Sequence, residues 1–144
     1  LRTVTGVQTC ALPIWAEGAA SLDALWKYDQ VHAKDLSTGL PLPRIAPHRL
    51  GAGLEFKRNE FSARVDATRV ATQGRVAPNE LPTDGHTMLN ASASYRMKFT
   101  RGSLDVFARG VNLLNEDARN HVSFLKDIAP MGRRSVQVGL RAAY

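Results

Sequence analysis

Cysteine is almost missing from this chain: Cys10 is the only one in 144 residues. A single thiol closes no internal disulfide and supplies no cysteine-rich zinc site. No segment approaches the roughly 18 consecutive apolar residues that a membrane-spanning helix needs, which excludes a helical membrane protein. Aromatic residues make up only 7 %, and 11 glycines with 7 prolines are an ordinary share, so collagen-like and low-complexity chains are excluded. Acidic residues are in short supply, 13 against 19 Lys and Arg, for a net charge of +6. That surplus permits contact with nucleic acid or an anionic membrane but dictates no fold.

Residues 4–14, Val-Thr-Gly-Val-Gln-Thr-Cys-Ala-Leu-Pro-Ile, resemble the frame translation of a short-read sequencing adapter. On that reading residues 1–15 are non-native, Cys10 and Pro13 included, and the native sequence begins near Ala16 with more chain upstream. A signal peptide is the competing reading, but Arg2 is its sole basic residue and no convincing apolar core follows.

From Ala16 onward the hydrophobic period is two, the signature of half-buried strands. Val136, Val138, Leu140, Ala142 and Tyr144 share one face; Ser135, Gln137, Gly139 and Arg141 share the other. The same alternation runs through Leu89–Met97, Phe61–Thr68 and Arg49–Phe56. It runs also, with one lapse each at Leu25 and Phe107, through Leu22–Asp29 and Leu104–Arg109. Six strands of about ten residues are long for a soluble sheet, where about five or six is usual, and match the length that crosses a bilayer. Trp26, Tyr28, Phe56, Phe61, Tyr95 and Tyr144 fall near strand ends on the apolar face, as an interfacial aromatic girdle requires.

The connections sharpen the choice. Lys57–Glu60 and Phe99–Gly102 are tight polar turns, whereas Lys34–His48, Ala71–His86 and Asn115–Arg133 are long and irregular. Short and long alternate strictly. Soluble domains rarely need three structureless loops of such length, whereas outer-membrane barrels join strands by short periplasmic turns and long outer loops. The expected fold is therefore all-β: an antiparallel transmembrane β-barrel fragment of about six strands. A passive porin-like channel and a soluble β-sandwich binding module are the alternatives.

The last third carries Gly110-Val-Asn-Leu-Leu-Asn115, Arg119-Asn-His121, Ser123-Phe-Leu-Lys-Asp127, Ala129-Pro130, Gly132-Arg133 and a strand ending at Tyr144. This set closely resembles the C-terminal end of TonB-dependent outer-membrane receptors. Leu42-Pro-Arg-Ile45, Pro47, Asn79-Glu80 and Pro82-Thr-Asp-Gly85 look like loop motifs of one subgroup, and the likeness spans roughly Trp26–Tyr144. It implies that residues 16–144 are the C-terminal part of a 22-stranded barrel with an N-terminal plug inside. Such receptors take up siderophore-iron, haem, cobalamin, other metal chelates or sugars across the bacterial outer membrane, powered by the TonB complex. The implied partners are outer-membrane lipid, the plug and upstream strands of the parent chain, the TonB complex and the barrel-assembly machinery, which reads the terminal aromatic Tyr144. No nucleic acid, cofactor or enzymatic activity is expected.

The candidate chemistry is sparse. His32, His48, His86 and His121 include no pair at metal-ligand spacing. His86 and His121, with Glu80, Asp84 and Asp127, sit in or beside outer loops where they could help catch a metal chelate; ordinary solvated loop residues are the favoured reading. A zinc-type receptor subgroup shares the His121, Lys126-Asp127 pattern. His121, Ser123 and Asp127 invite a catalytic triad, but triad members normally come from separate elements. The basic residues from Arg44 to Arg75 are dispersed with no aromatic platform, so charges of the barrel interior and rim explain them better than nucleic-acid binding. Inward Arg64, Asp66, Arg96, Asp105, Arg109 and Arg141 are expected to pair with one another or with a plug.

Overall fold

The structure is a computed structural model that describes residues 2–144; Leu1, the first residue of the adapter-like segment, lies outside the described residues. Seven strands form one antiparallel sheet in strict chain order: β1 (Arg2–Glu17), β2 (Ala20–Lys34), β3 (Arg49–Arg58), β4 (Phe61–Val70), β5 (His86–Phe99), β6 (Gly102–Val111) and β7 (Ser135–Ala143). The described residues contain no helix, and the sheet does not close on itself.

Register turns sequence alternation into two faces. One row across the sheet reads Ala24–Leu54–Val65–Ala91–Gly110–Val136, and the row below it reads Leu22–Phe56–Ala63–Ala93–Ala108–Val138. The opposite face carries Asp23–Glu55–Arg64–Ser92–Arg109–Gln137 in a single row. A slip of one residue in any strand would exchange the faces, so this coherence across five pairings fixes the register.

Ion pairs lace the polar face. Lys57 reaches Glu55 at 2.9 Å, Arg64 reaches Asp66 at 3.4 Å, and Arg96 grips both oxygens of Asp105 at 2.7 and 3.1 Å. The expected inward pairing thus holds for Arg64–Asp66 and Arg96–Asp105, while Arg109 and Arg141 join no ion pair among the described residues. The two lapses in alternation have a common cause. Leu25 stands opposite Gly53 and Phe107 opposite Gly139, so each large side chain on the polar face has a glycine as its cross-strand partner. A Cβ added to Gly139 would lie 2.4 Å from the Phe107 ring.

The apolar face is covered by nothing within the chain. Leu54, Val65, Val136, Val138 and Leu140 are all exposed, and Ala33, Pro47 and Ala118 are the buried apolar side chains among the described residues. The accessible surface is 9939 Å² for 15.8 kDa, whereas a folded soluble monomer of that mass would expose about 7300 Å². A water-soluble sheet cannot leave such a face bare; lipid can cover it.

Three two-residue turns, at 18–19, 59–60 and 100–101, alternate with long connections at 35–48, 71–85 and 112–134, here loops A, B and C. The first two tight turns use left-handed backbone, supplied by Gly18 at φ 58° and Asn59 at φ 51°. The sheet has one strand more than the sequence led us to expect, and the extra one is β1, the adapter-like segment. Val, Thr and Ile are good strand formers, the turn at Gly18 folds them back, and the open edge of β2 pairs them from Arg2 to Glu17. The same pairing lengthens β2 to Lys34, past the end of its visible alternation at Asp29.

Candidate functional site

Loops A, B and C leave the same end of the sheet, and side chains tie them to one another. The anchor of loop C is Asn112, fully buried and left-handed at φ 51°. Its Nδ2 donates to the carbonyls of Glu116 (2.9 Å) and Gly132 (3.0 Å), and its Oδ1 accepts from Glu116 N–H (3.0 Å). Asn115, also left-handed at φ 58°, accepts from Arg134 N–H through Oδ1 at 3.2 Å. Asparagine tolerates this backbone and satisfies nearby peptide groups at once. The Asn-Leu-Leu-Asn segment is therefore a staple that closes the base of the loop, and Leu113 folds back over the outward side of Gly110.

The centre of the cluster is Glu80. Its Oε1 accepts from Arg44 N–H of loop A (3.0 Å) and from Lys126 Nζ of loop C (3.1 Å), and its Oε2 from Ala77 N–H (3.2 Å). Lys126 also donates to the Leu81 carbonyl at 2.6 Å. His121 is buried beside this pair, with Nδ1 2.9 Å from Thr83 Oγ1 and 3.4 Å from Lys126 Nζ. Those contacts assign Nδ1 as acceptor and leave the proton on Nε2. Nε2 sits 3.3 Å from Glu80 Oε1 but out of line, without a hydrogen-bond partner. Gln73 Nε2 joins loop B to the Ile45 carbonyl of loop A at 2.8 Å. The Arg44 guanidinium lies over the Phe124 ring, 3.4 Å from its centroid, joining A to C. A hollow of about 270 Å³ remains between Arg44, Asn79, Glu80, Phe124, Lys126 and Asp127.

Burial sets the protonation states. It pushes the His121 imidazole below its ordinary pKa, and the Lys126 charge pushes the same way against Glu80 and Asp127, so the ring is neutral at neutral pH. Burial would raise the Glu80 carboxyl, but hydrogen bonds from Ala77, Lys126 and Arg44 outweigh it and hold the group below the usual carboxylate range. The result is a buried carboxylate–ammonium pair capped by a neutral imidazole.

Of the five residues singled out as possible metal-chelate contacts, the structure brings two together, Glu80 and His121. Asp84 and Asp127 are exposed, and neither belongs to the hydrogen-bonded cluster. His86 is buried at the start of β5, its Nδ1 without a partner. No group of three or more His, Cys, Asp and Glu among the described residues is placed to hold a metal ion. Lys126 is the reason at Glu80: its ammonium occupies the space a cation would take. Ser123 Oγ accepts from Leu125 N–H and makes no bond to His121 among the described residues, so no nucleophile–base pair forms there. Tyr144 follows β7 fully exposed. Sequence reasoning met Lys126, Thr83 and Asn112 only inside family-like motifs and gave them no part in the site: Lys126 and Thr83 find their partners only when loops distant in sequence meet, and Asn112 finds its own by closing loop C on itself.

Against this geometry, the sequence matches the family described as TonB dependent receptor-like, beta-barrel, over residues 7–113. The chain belongs to the TonB-dependent receptors. Its fold is similar to that of the copper transporter OprC, with a TM-score of 0.74 at 20 % identity, over 96 % of this chain and 23 % of that one. The chain thus spans about a quarter of the length of OprC. For a TonB-dependent receptor barrel, the apolar face is the lipid-facing wall, the polar face lines the interior, and loops A to C stand on the outer side.

Proposed function

We propose that this chain is the C-terminal wall of an outer-membrane receptor that carries out energy-coupled uptake of a metal chelate, whether siderophore-iron, haem or a zinc-like complex. The bare apolar face carries the membrane part of this reading, because only lipid covers it without cost. The latched outer loops carry the receptor part. A buried Glu80–Lys126 pair and a neutral His121 form a rigid rim around the barrel mouth, against which a ligand docks without first ordering the loops. Metal cargo is supported by the similarity to a protein named as a copper transporter. A plug, a TonB-contacting segment and the upstream strands belong to the parent chain in this reading, and Tyr144 addresses it to the barrel-assembly machinery.

The native chain in this proposal runs from about Ala16, and β1 is a foreign strand in the place of a native one. Pro13 interrupts β1, its register with β2 shifts between Pro13 and Trp15, and it sets uncharged Pro13 against Asp23 and Thr9 against Lys27, which pairs instead with Asp29 of its own strand. The test of the receptor reading is uptake by cells carrying the complete receptor, with and without TonB. TonB-dependent accumulation of one chelate among iron-siderophore, haem, zinc and copper complexes supports it. TonB-independent permeation of small solutes would make the barrel a passive channel instead.

A further inference from the structure

The lipid-facing side of β2–β4 ends, towards the long loops, in a basic patch. The outward row directly above the apolar band reads Tyr28–Leu50–Arg69–Thr87, so Arg69 follows Phe61, Ala63, Val65 and Ala67 on the same face of β4. Its Nη1 donates to Thr87 Oγ1 at 3.0 Å, which holds the guanidinium against the wall and leaves its other N–H groups free. Farther up the same face, Arg75 of loop B reaches His32 Nε2 of β2. His48 Nδ1 lies 3.5 Å from the Tyr28 hydroxyl, and Arg69, Arg75, His32 and His48 are all exposed. No ion pair among the described residues includes Arg69 or Arg75, although most strand carboxylates on the inner face are paired. Two guanidiniums, one held by a hydroxyl and the other beside a histidine ring nitrogen, both left without carboxylates, suit an anion with several oxygens.

We infer that this patch binds the phosphate of a membrane lipid headgroup in the outer leaflet, so that the receptor carries an ordered shell of anionic lipid beside loop B. The position decides the source of the phosphate. The patch is continuous with the lipid-facing band, at the height where acyl chains give way to headgroups, and Tyr28 stands beside it as an interfacial aromatic. A soluble anion has no reason to seek the outer wall rather than the lumen. The inference rests on the membrane reading above.

The complete receptor, purified in neutral detergent, is titrated with phosphatidylglycerol and bound lipid is counted by native mass spectrometry, with phosphatidylcholine and pyrophosphate as comparison probes. Arg69→Gln together with Arg75→Gln is expected to weaken phosphatidylglycerol binding roughly thirtyfold. The corresponding pair of lysine replacements keeps most of it, and Arg109→Gln on the inner face leaves it unchanged. Equal binding by wild type and the glutamine pair would overturn the inference, as would an equal loss in Arg109→Gln or pyrophosphate binding as tight as that of the lipid. Heat-modifiable migration of each variant separates the two readings: a folded barrel without lipid preference sinks this inference alone, whereas the absence of a barrel sinks both.

Discussion

Val65→Arg separates a lipid-facing wall from a solvated sheet. Val65 sits mid-strand in β4, opposite Leu54 and Ala91, and is 41 % exposed in the described sheet. In water, a charge at so open a position changes stability by no more than about 0.5 kcal/mol. In lipid, an arginine near the midplane costs about 2–4 kcal/mol, so a value near 3 kcal/mol lowers the folding constant by about two decades. Thr68→Arg is the reference, on the inner face and on the same side as Asp66; its cost should stay below about 1 kcal/mol. The assay is reversible guanidinium unfolding of the complete receptor in vesicles, with folded protein read by heat-modifiable migration. A Val65→Arg penalty within about 0.5 kcal/mol of Thr68→Arg would refute the assignment of the apolar face to lipid.

Other outcomes follow from the outer loops and the chain end. Lys126→Met leaves Glu80 buried without its ammonium and should destabilise the loop cluster by about 3 kcal/mol; hydrogen exchange at Ala77 and Arg44 amides would rise, and adding Glu80→Gln should recover most of the protection. The cluster also loses stability in acid. Because His121 is held below its ordinary pKa, the opened chain takes up a proton first as pH falls through about 6.5, and closure weakens from there down to the folded pKa. Glu80, also held low, adds a second loss as pH falls below about 4.5. His121→Gln should abolish the upper step and keep the lower one in pH-dependent exchange. Deleting Tyr144 from the complete receptor should reduce assembled protein at the cell surface; an unchanged surface yield would count against its role in assembly. A long sequencing read across the locus should replace residues 1–15 with sequence that continues into further strands, whereas a genomic start codon there would show β1 to be native.

The fold was legible because a sheet with one apolar face writes its period into the sequence. β3 and β4 begin and end within a few residues of where Leu50–Phe56 and Phe61–Thr68 alternate, and the Lys57–Glu60 turn falls between them. What could not be read depends on partners far along the chain. Leu25 and Phe107 look like errors of alternation until register places Gly53 and Gly139 opposite them. Gln30–Lys34 is strand only because β1 lies beside it. At the loops, Glu80 and His121 could be named by residue type, but their role follows from Lys126, 46 residues beyond Glu80, entering between them. A lone lysine in a polar loop carries no local signal for burial. Asn112 and Asn115 were visible as a family likeness, yet the reason for them is the left-handed backbone and the carbonyls of Glu116 and Gly132.

Sidedness is the property on which the receptor reading stands. In the complete receptor with any other cysteine replaced by serine, single cysteines at Ile128 in loop C and at Arg101 in the β5–β6 turn place one thiol at each end of the wall. A bulky maleimide that cannot cross the outer membrane is added to intact cells. Labelling at Ile128→Cys alone, with Arg101→Cys reacting only after the membrane is opened, is the predicted result. Labelling of Arg101→Cys in intact cells while Ile128→Cys stays protected would contradict it.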